Sequence, residues 1–195
     1  MIVDKSAFVH IPRTGGRIIC SNLIENYPTT LYSWEDWVKF DGIPIEKNHQ
    51  PASFYKNIKN KFTVVRNPYQ RFLSIINDMT IHGLKIKENF EIDSILKFID
   101  EDKGRAYFKC WIMEQHKFID NNTKIWFFEN GVDSEKFYDW MRDVVGLPIK
   151  NRVKKIDQRF FHPIDSNHDF VLSDKMKELV KHMYYQDFKI FNYDF

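Results

Sequence analysis

Arg13 sits in the turn Pro12-Arg13-Thr14-Gly15-Gly16-Arg17, between the apolar run Ala7 to Ile11 and an amphipathic run from Ile18 to Tyr27. A short β-prone stretch, a Pro and Gly turn carrying a cation, and then a helix aim backbone N–H groups at an anion. The glycines permit close backbone approach, the helix N-terminus adds about half a positive charge, and Arg13 adds a permanent forked cation suited to phosphate or sulfate. The Walker loop is a different device, because its longer turn ends in Gly-Lys-Ser/Thr and that ending is absent here. Arg66 closes a second β-prone run, Lys61 to Val65, and Asn67-Pro68 follows as a favoured N-cap and first helical residue. Asn67, Arg71 and Ser74 fall on one face of that helix. Two anion sites at neighbouring strand ends point to a ligand with two separated phosphates.

Stepping outward from these residues, the apolar run over 6–11 predicts a buried strand, and Ile19, Leu23 and Ile24 define the helix after the loop. The run 61–66 predicts a second strand, followed by a helix toward Gly83 that buries Phe72, Leu73, Ile76 and Met79. Lys124 to Glu129 predicts a third strand, and Phe137, Trp140, Met141 and Val144 a helix closed by Gly146. Ser33-Trp34-Glu35-Asp36 has capping-box spacing, which predicts a short helix through Trp37, Val38 and Phe40. Ile92, Ile95, Leu96 and Ile99 mark a further helix, and Ser173 caps a last one carrying Met176, Leu179, Val180 and Met183. Strands alternating with helices predict an α/β fold, a P-loop-like three-layer arrangement with a mostly parallel sheet flanked by helices. Ligands in such sheets bind beyond the carboxyl ends of the strands, where Arg13, Arg66 and Glu129 fall.

The 195 residues, with 43% hydrophobic content, fit one domain over 1–195. Lys plus Arg (29) against Asp plus Glu (27) leaves +2, so composition gives no reason to expect nucleic-acid or bulk membrane binding, and any basic site is local. Cys20 and Cys110 are the two cysteines, both in apolar helical patterns, which reads as a pair of buried thiols in a reducing, cytoplasmic setting. No apolar run reaches the roughly 18 residues of a membrane span, and Met-Ile-Val-Asp-Lys lacks signal-peptide character.

His10-Ile11-Pro12-Arg13-Thr14-Gly15-Gly16 resembles the 5'-phosphosulfate loop of sulfotransferases, and Val64-Val65-Arg66-Asn67-Pro68-Tyr69-Gln70-Arg71-Phe72-Leu73-Ser74 resembles their 3'-phosphate motif. The likeness is closest to the carbohydrate, Golgi-like branch with its heparan and chondroitin types. It continues through Phe128-Glu129-Asn130 and Tyr185-Gln186-Asp187-Phe188, Phe191 and Tyr193. The resemblance implies 3'-phosphoadenosine 5'-phosphosulfate (PAPS) as donor, no metal, and sulfuryl transfer to a hydroxyl or amine. It assigns Arg13 to the phosphosulfate bridge, the Thr14, Gly15, Gly16 and Arg17 backbone to the 5'-phosphate, and Arg66 with Ser74 to the 3'-phosphate, with Pro12 among the donor-binding residues of the loop. The family loop usually has Lys where Arg13 stands and small hydroxyl residues where Arg17 and Ile18 stand.

Transfer needs a base for the acceptor proton, and histidine is the first candidate. His49 lies between the two motifs, where related glycosaminoglycan sulfotransferases are similar in placing a catalytic histidine. Glu35, Glu46 and Glu129 are the carboxylate alternatives. The basic stretch Lys150, Arg152, Lys154, Lys155 and Arg159 precedes His162-Pro163, and in the family such a segment closes over the cofactor or meets an acidic acceptor, which places Arg159 among the donor contacts. Phe160 and Phe161 stand where they would pack on adenine. The acceptor class stays open between a glycan, a peptide tyrosine and a small alcohol. Two other functions fit paired anion sites: a magnesium-dependent nucleotide or small-molecule kinase, and a non-catalytic nucleotide-binding module.

Overall fold

The computed structural model describes residues 1–30, 37–85, 92–102, 105–153 and 171–195. The elements in the first half are β1 (Ile2–Val3), β2 (Ser6–Phe8), α1 (Gly16–Asn26), β3 (Trp37–Phe40), β4 (Ile43–Glu46), β5 (Asn60–Val65) and α2 (Pro68–Ile81). The second half adds α3 (Ile92–Asp100), α4 (Phe108–Trp111), β6 (Thr123–Phe127), α5 (Glu135–Trp140), α6 (Asp174–Met183) and α7 (Tyr185–Ile190). Strands β2, β5 and β6 run parallel, β1 joins antiparallel at the edge, and the order is β1-β2-β5-β6. This is the expected α/β arrangement, a mixed, mostly parallel sheet flanked by helices.

The period-two alternation of the strands assigns each side chain to a layer. Phe8, Phe62, Val64 and Trp126 face Ile19, Leu23, Phe137 and Met141 on α1, α5 and the π-helical turn that extends α5. Ala7, Val9, Val65, Ile125 and Phe127 face the opposite way, onto Ile45, Tyr55, Cys110 and Phe118. A third cluster joins α2, α3, α4 and α6 through Phe72, Ile76, Ile95, Phe108 and Val180. Asn67 caps α2 by accepting from the N–H groups of Tyr69 and Gln70, and Ser173 caps α6 by accepting from Met176.

Residues 37–40 depart from the predicted helix. They form strand β3, paired antiparallel with β4 across Asp41 and Gly42. Both turn residues have positive φ, 50° and 76°, which is the geometry a two-residue hairpin loop requires and which Asp-Gly supplies. The alternation of Val38, Phe40, Ile43 and Ile45 then buries one face of the hairpin against the second layer. The capping-box residues on which the helix reading rested lie outside the described residues.

Two side chains hold the loop after β2 from beneath. Arg71 is 1% exposed and donates from Nε to the Pro12 carbonyl (3.0 Å), from Nη1 to Met113 (2.9 Å) and from Nη2 to Trp111 (2.6 Å). The His10 ring stacks on Phe8 and lies 4.3 Å from the ring of His49, centroid to centroid. A Cβ on Gly16 would fall 1.7 Å from His10 Nε2, so the first residue of α1 has room for hydrogen alone. Burial, and then His49, holds the His10 imidazole well below its ordinary pKa, so the ring is neutral.

Replacing Arg71 by Leu strands two buried carbonyls and a partly buried one and is expected to lower the unfolding free energy by about 3 kcal/mol in urea titrations. Arg71→Lys restores only part of it, because a point charge cannot serve three acceptors at once. Gly16→Ala is expected to cost about 1–3 kcal/mol through overpacking. Adding His10→Ala to Gly16→Ala is expected to give a smaller loss than the sum of the single variants; strict additivity would show that the ring is not the obstacle.

Candidate functional site

The carboxyl ends of β2, β5 and β6 lie side by side, so the loops that leave them converge. The first loop carries two left-handed residues, Arg13 (φ 68°) and Gly15 (φ 86°). Gly15 meets that requirement without a side chain, whereas a non-glycine residue such as Arg13 holds a sparsely populated conformation only where its surroundings fix it. Thr14 contributes by donating its hydroxyl to the Ile11 carbonyl at 2.8 Å. The turn delivers the chain into α1 at Gly16, and no side chain caps that N-terminus among the described residues. Its first N–H groups therefore remain open to an anion.

Ion pairing and stacking set the position of Arg13. Its Nε donates to Ser74 Oγ at 3.1 Å and its Nη1 to Asp78 Oδ1 at 3.1 Å, and the guanidinium lies 5.3 Å from the Trp111 ring centroid. Ser74 and Asp78 are one turn apart on α2, so one helix face presents an acceptor for each side of the fork. Burial lowers the Arg13 pKa, Asp78 opposes that, and Arg17 and Arg66 lower it further by charge repulsion.

The second strand end is built around Arg66. Its backbone N–H donates to Gln115 Oε1 (2.9 Å) and its carbonyl accepts from Gln115 Nε2 (2.8 Å), which fixes the residue from both sides. The side chain lies 4.4 Å over the Phe128 ring and donates from Nη1 to the Arg13 carbonyl at 3.3 Å. Its Nε is buried with no hydrogen-bond partner among the described residues. Burial lowers the Arg66 pKa, with Glu129 opposing. Arg17, one residue inside α1, is half-buried and makes no hydrogen bond or ion pair among the described residues. Three guanidinium groups thus converge beside an uncapped helix N-terminus, a donor set that fits anions.

The structure brings together Pro12, Arg13, Thr14, Gly15, Gly16, Arg17, Arg66 and Ser74. The N-terminus of α2, expected to serve as an open anion site, is closed by the Asn67 side chain. Arg71, from the same predicted helix face, points beneath the loop. Arg159 lies outside the described residues, as do Glu35, Lys154, Lys155, Phe160 and Phe161. Arg152 is bound through both terminal nitrogens of its guanidinium to Glu135 and lies over Tyr138.

His49 is buried directly under the loop. Its Nδ1 donates to the His10 carbonyl at 2.8 Å, and its Nε2 faces Glu46 Oε2 at 3.4 Å. Glu46 is the more accessible of the two, at 18% against 5% side-chain exposure. Glu129 accepts from the Asn67 N–H (2.7 Å) and from the Tyr193 hydroxyl (3.0 Å), and this raises the Tyr193 pKa on top of its burial. Asp187 accepts from the N–H groups of Gln115 and His116, tying the C-terminal motif to Arg66 through Gln115.

Asp78 and Gln115 are the site residues that sequence reasoning missed. Asp78 was within reach, because it extends the polar stripe Arg71, Ser74 by one more turn of an otherwise apolar helix. Gln115 carries no local signal. Among the described residues there is no group of three or more His, Cys, Asp or Glu side chains able to hold a metal ion, and no helix long and apolar enough to cross a membrane.

Comparison with curated proteins and with solved structures gave no significant match. A family model described as the sulfotransferase family matches residues 3–194, from β1 to beyond α7. That span takes in both strand-end arginines, the loop between β2 and α1, and the C-terminal segment that braces Gln115. The chain belongs to the sulfotransferase family, a family of enzymes that transfer sulfo groups.

Proposed function

We propose that this protein transfers a sulfuryl group from PAPS to a hydroxyl of a carbohydrate, by in-line displacement at sulfur. The observation that carries the reading is the junction of the two strand ends: Arg13 reaches Ser74, and Arg66 reaches the Arg13 carbonyl, across adjacent parallel strands. One ligand bearing two phosphates engages both ends. When bound, PAPS supplies the activated sulfuryl group and leaves as 3',5'-diphosphoadenosine.

The chain's own residues divide the work. The Thr14 to Arg17 backbone and the N-terminus of α1 hold the 5'-phosphate, and Arg66 with the Ser74 hydroxyl holds the 3'-phosphate. As the acceptor oxygen bonds to sulfur and the sulfur–oxygen bond to phosphate breaks, the electron pair stays on the phosphate oxygen. Arg13 and the loop N–H groups meet that charge, with Arg17 adding a second cation. Arg13 neutralises without protonating, since a guanidinium does not give up its proton. The acceptor proton passes to the His49 and Glu46 pair. Nδ1 donates to the His10 carbonyl, so Nε2 is the ring nitrogen that faces Glu46, and Glu46 is the open end of the pair. A reducing, cytoplasmic setting is part of this reading, supported by Cys20 and Cys110, both buried and unbridged.

The reading is tested by thermal shift with 3',5'-diphosphoadenosine and by transfer of labelled sulfate to a panel of glycans, tyrosine peptides and small alcohols. Stabilisation by the diphosphate that persists in EDTA, with label on glycans, is the expected result; stabilisation by ATP with magnesium alone would overturn it. Arg13→Ala is expected to lower kcat roughly 100-fold or more, the equivalent of about 2.7–4 kcal/mol for one preorganised donor. It also leaves the Asp78 carboxylate without its main partner, so Arg13→Ala loses stability, and adding Asp78→Asn restores the stability without restoring the rate. Asp78→Asn alone removes a negative charge beside the anion site. Its 3',5'-diphosphoadenosine affinity is expected to rise roughly 3- to 10-fold by isothermal titration, for about 1 kcal/mol of partly screened charge.

A further inference from the structure

Arg66 stands one residue beyond the end of β5, where the ladder to β6 has stopped at Val65 and Phe127. The peptide units on either side of it are nonetheless held. The N–H of Arg66 donates to Gln115 Oε1 (2.9 Å), its carbonyl accepts from Gln115 Nε2 (2.8 Å), and the N–H of Asn67 donates to Glu129 Oε1 (2.7 Å). A primary amide carries donor and acceptor in one plane, as a peptide unit does. Gln115 thus stands in for a strand neighbour past the point where the ladder ends. It is fixed in turn by a buried carboxylate. Asp187, on α7, accepts from the backbone N–H of Gln115 at 2.7 Å and from that of His116 at 2.9 Å, and His116 Nδ1 lies 2.9 Å from Asp187 Oδ1. Both carboxylate oxygens are engaged, as burial of the group requires.

Resting on the donor assignment above, we propose that Gln115 and Asp187 are positioning residues for Arg66, and that this relay sets how strongly the protein prefers a nucleotide bearing a 3'-phosphate. Both residues are 0% exposed, so they act through Arg66 and not on a ligand. What they control is the pose of the guanidinium, which lies 4.4 Å over the Phe128 ring and donates from Nη1 to the Arg13 carbonyl. A bidentate contact with phosphate requires the fork to sit within a narrow range of position and angle. An arginine at the unsupported end of a strand has to be ordered by the phosphate itself, which lowers affinity; an arginine already held by its backbone does not. Helix α7 thereby contributes to nucleotide selection through one buried carboxylate. A residue that merely fastened α7 to the sheet would change stability and leave the discrimination between nucleotides untouched.

The test is isothermal titration of the full chain with two probes that differ in a single group, 3',5'-diphosphoadenosine and adenosine 5'-phosphate. The wild type is expected to bind the diphosphate roughly 30-fold or more tightly, through charge-assisted bonds to the extra phosphate. Gln115→Met keeps the volume and removes both amide bonds; it should shrink that ratio roughly tenfold and leave the monophosphate affinity within about threefold of wild type. Asp187→Asn, nearly the same shape, should shrink the ratio roughly threefold or more. The double variant should shrink it no further than Gln115→Met alone, because Asp187 acts through Gln115. These variants also lose stability in urea, but the ratio is read on folded protein. Should Gln115→Met fail to fold, the ratio in Asp187→Asn decides alone. A wild-type ratio in either single variant, or additive losses in the double, overturns the relay. A wild type that binds both probes equally, or neither, overturns the assignment of the 3'-phosphate to Arg66 and Ser74 instead, and that outcome is read before any variant is compared.

Discussion

The site depends on one buried cation whose hydrogen bonds go to the protein's own backbone. Arg71 projects from α2 into the space between the loop after β2 and the segment after α4, and its three donors end on the carbonyls of Pro12, Trp111 and Met113. A guanidinium is the one side chain that satisfies three carbonyls in a plane while remaining charged. Its placement fixes the loop at Pro12, immediately before the left-handed Arg13, so the strained residue is held from the side that matters. The same contact places Trp111 against the Arg13 guanidinium. Helix α2 therefore supplies both the anchor beneath the loop and, through Ser74 and Asp78, the partners above it.

Charge balance explains how three guanidinium groups are held side by side. Burial, and then the charges of Arg17 and Arg66, lower the proton affinity of Arg13, and a cluster of that kind is tolerable only with counter-charges at hand. Asp78 and Glu129 provide them from opposite sides, and each is tied to a second partner: Asp78 lies 3.7 Å from His82 Nε2, and Glu129 is bound by Asn67 and Tyr193. Among the described residues, these two carboxylates against three guanidinium groups leave the convergence point positive. On the proposed reading, an arriving dianion completes the balance, which is the electrostatic preorganisation that transfer chemistry draws on.

The local features were legible in the sequence because their causes are local. Gly15 in a turn before an apolar helix, Asn67-Pro68 after a β-branched run, and Ser173 ahead of α6 each encode a boundary in two or three residues, and the structure has those boundaries. The hairpin shows two local signals in conflict. Capping-box spacing over 33–36 competed with Asp41-Gly42 between alternating apolar residues, and the second prevailed because two positive φ values and a buried hairpin face reinforce each other. What the sequence could not disclose is pairing at long range. Gln115 clamps Arg66 from 49 residues away, and Asp187 holds Gln115 from 72 residues away. No periodicity or motif carries such partners. The fate of Asn67 is instructive in the same sense: an N-cap and an open anion site are read from the same residues, and only geometry shows that the cap occupies the site.

The departures from the usual family loop have a common physical sense. A lysine at position 13 presents a single point charge, whereas the arginine fork uses Nε for Ser74 and Nη1 for Asp78 simultaneously. Arginine is therefore matched to this α2, where an acceptor stands at each of two successive turns. The cost is chemical, since a lysine ammonium can release a proton to a leaving oxygen and a guanidinium does not. If the leaving group is a diphosphate that keeps its full charge, as proposed, it needs more neutralisation, not more donors. Arg17 stands where a neutral hydroxyl is usual, one residue into an uncapped helix and without an ion-pair partner among the described residues. On the proposed reading, the two substitutions compensate each other: protonation of the leaving group is exchanged for a second permanent cation beside it.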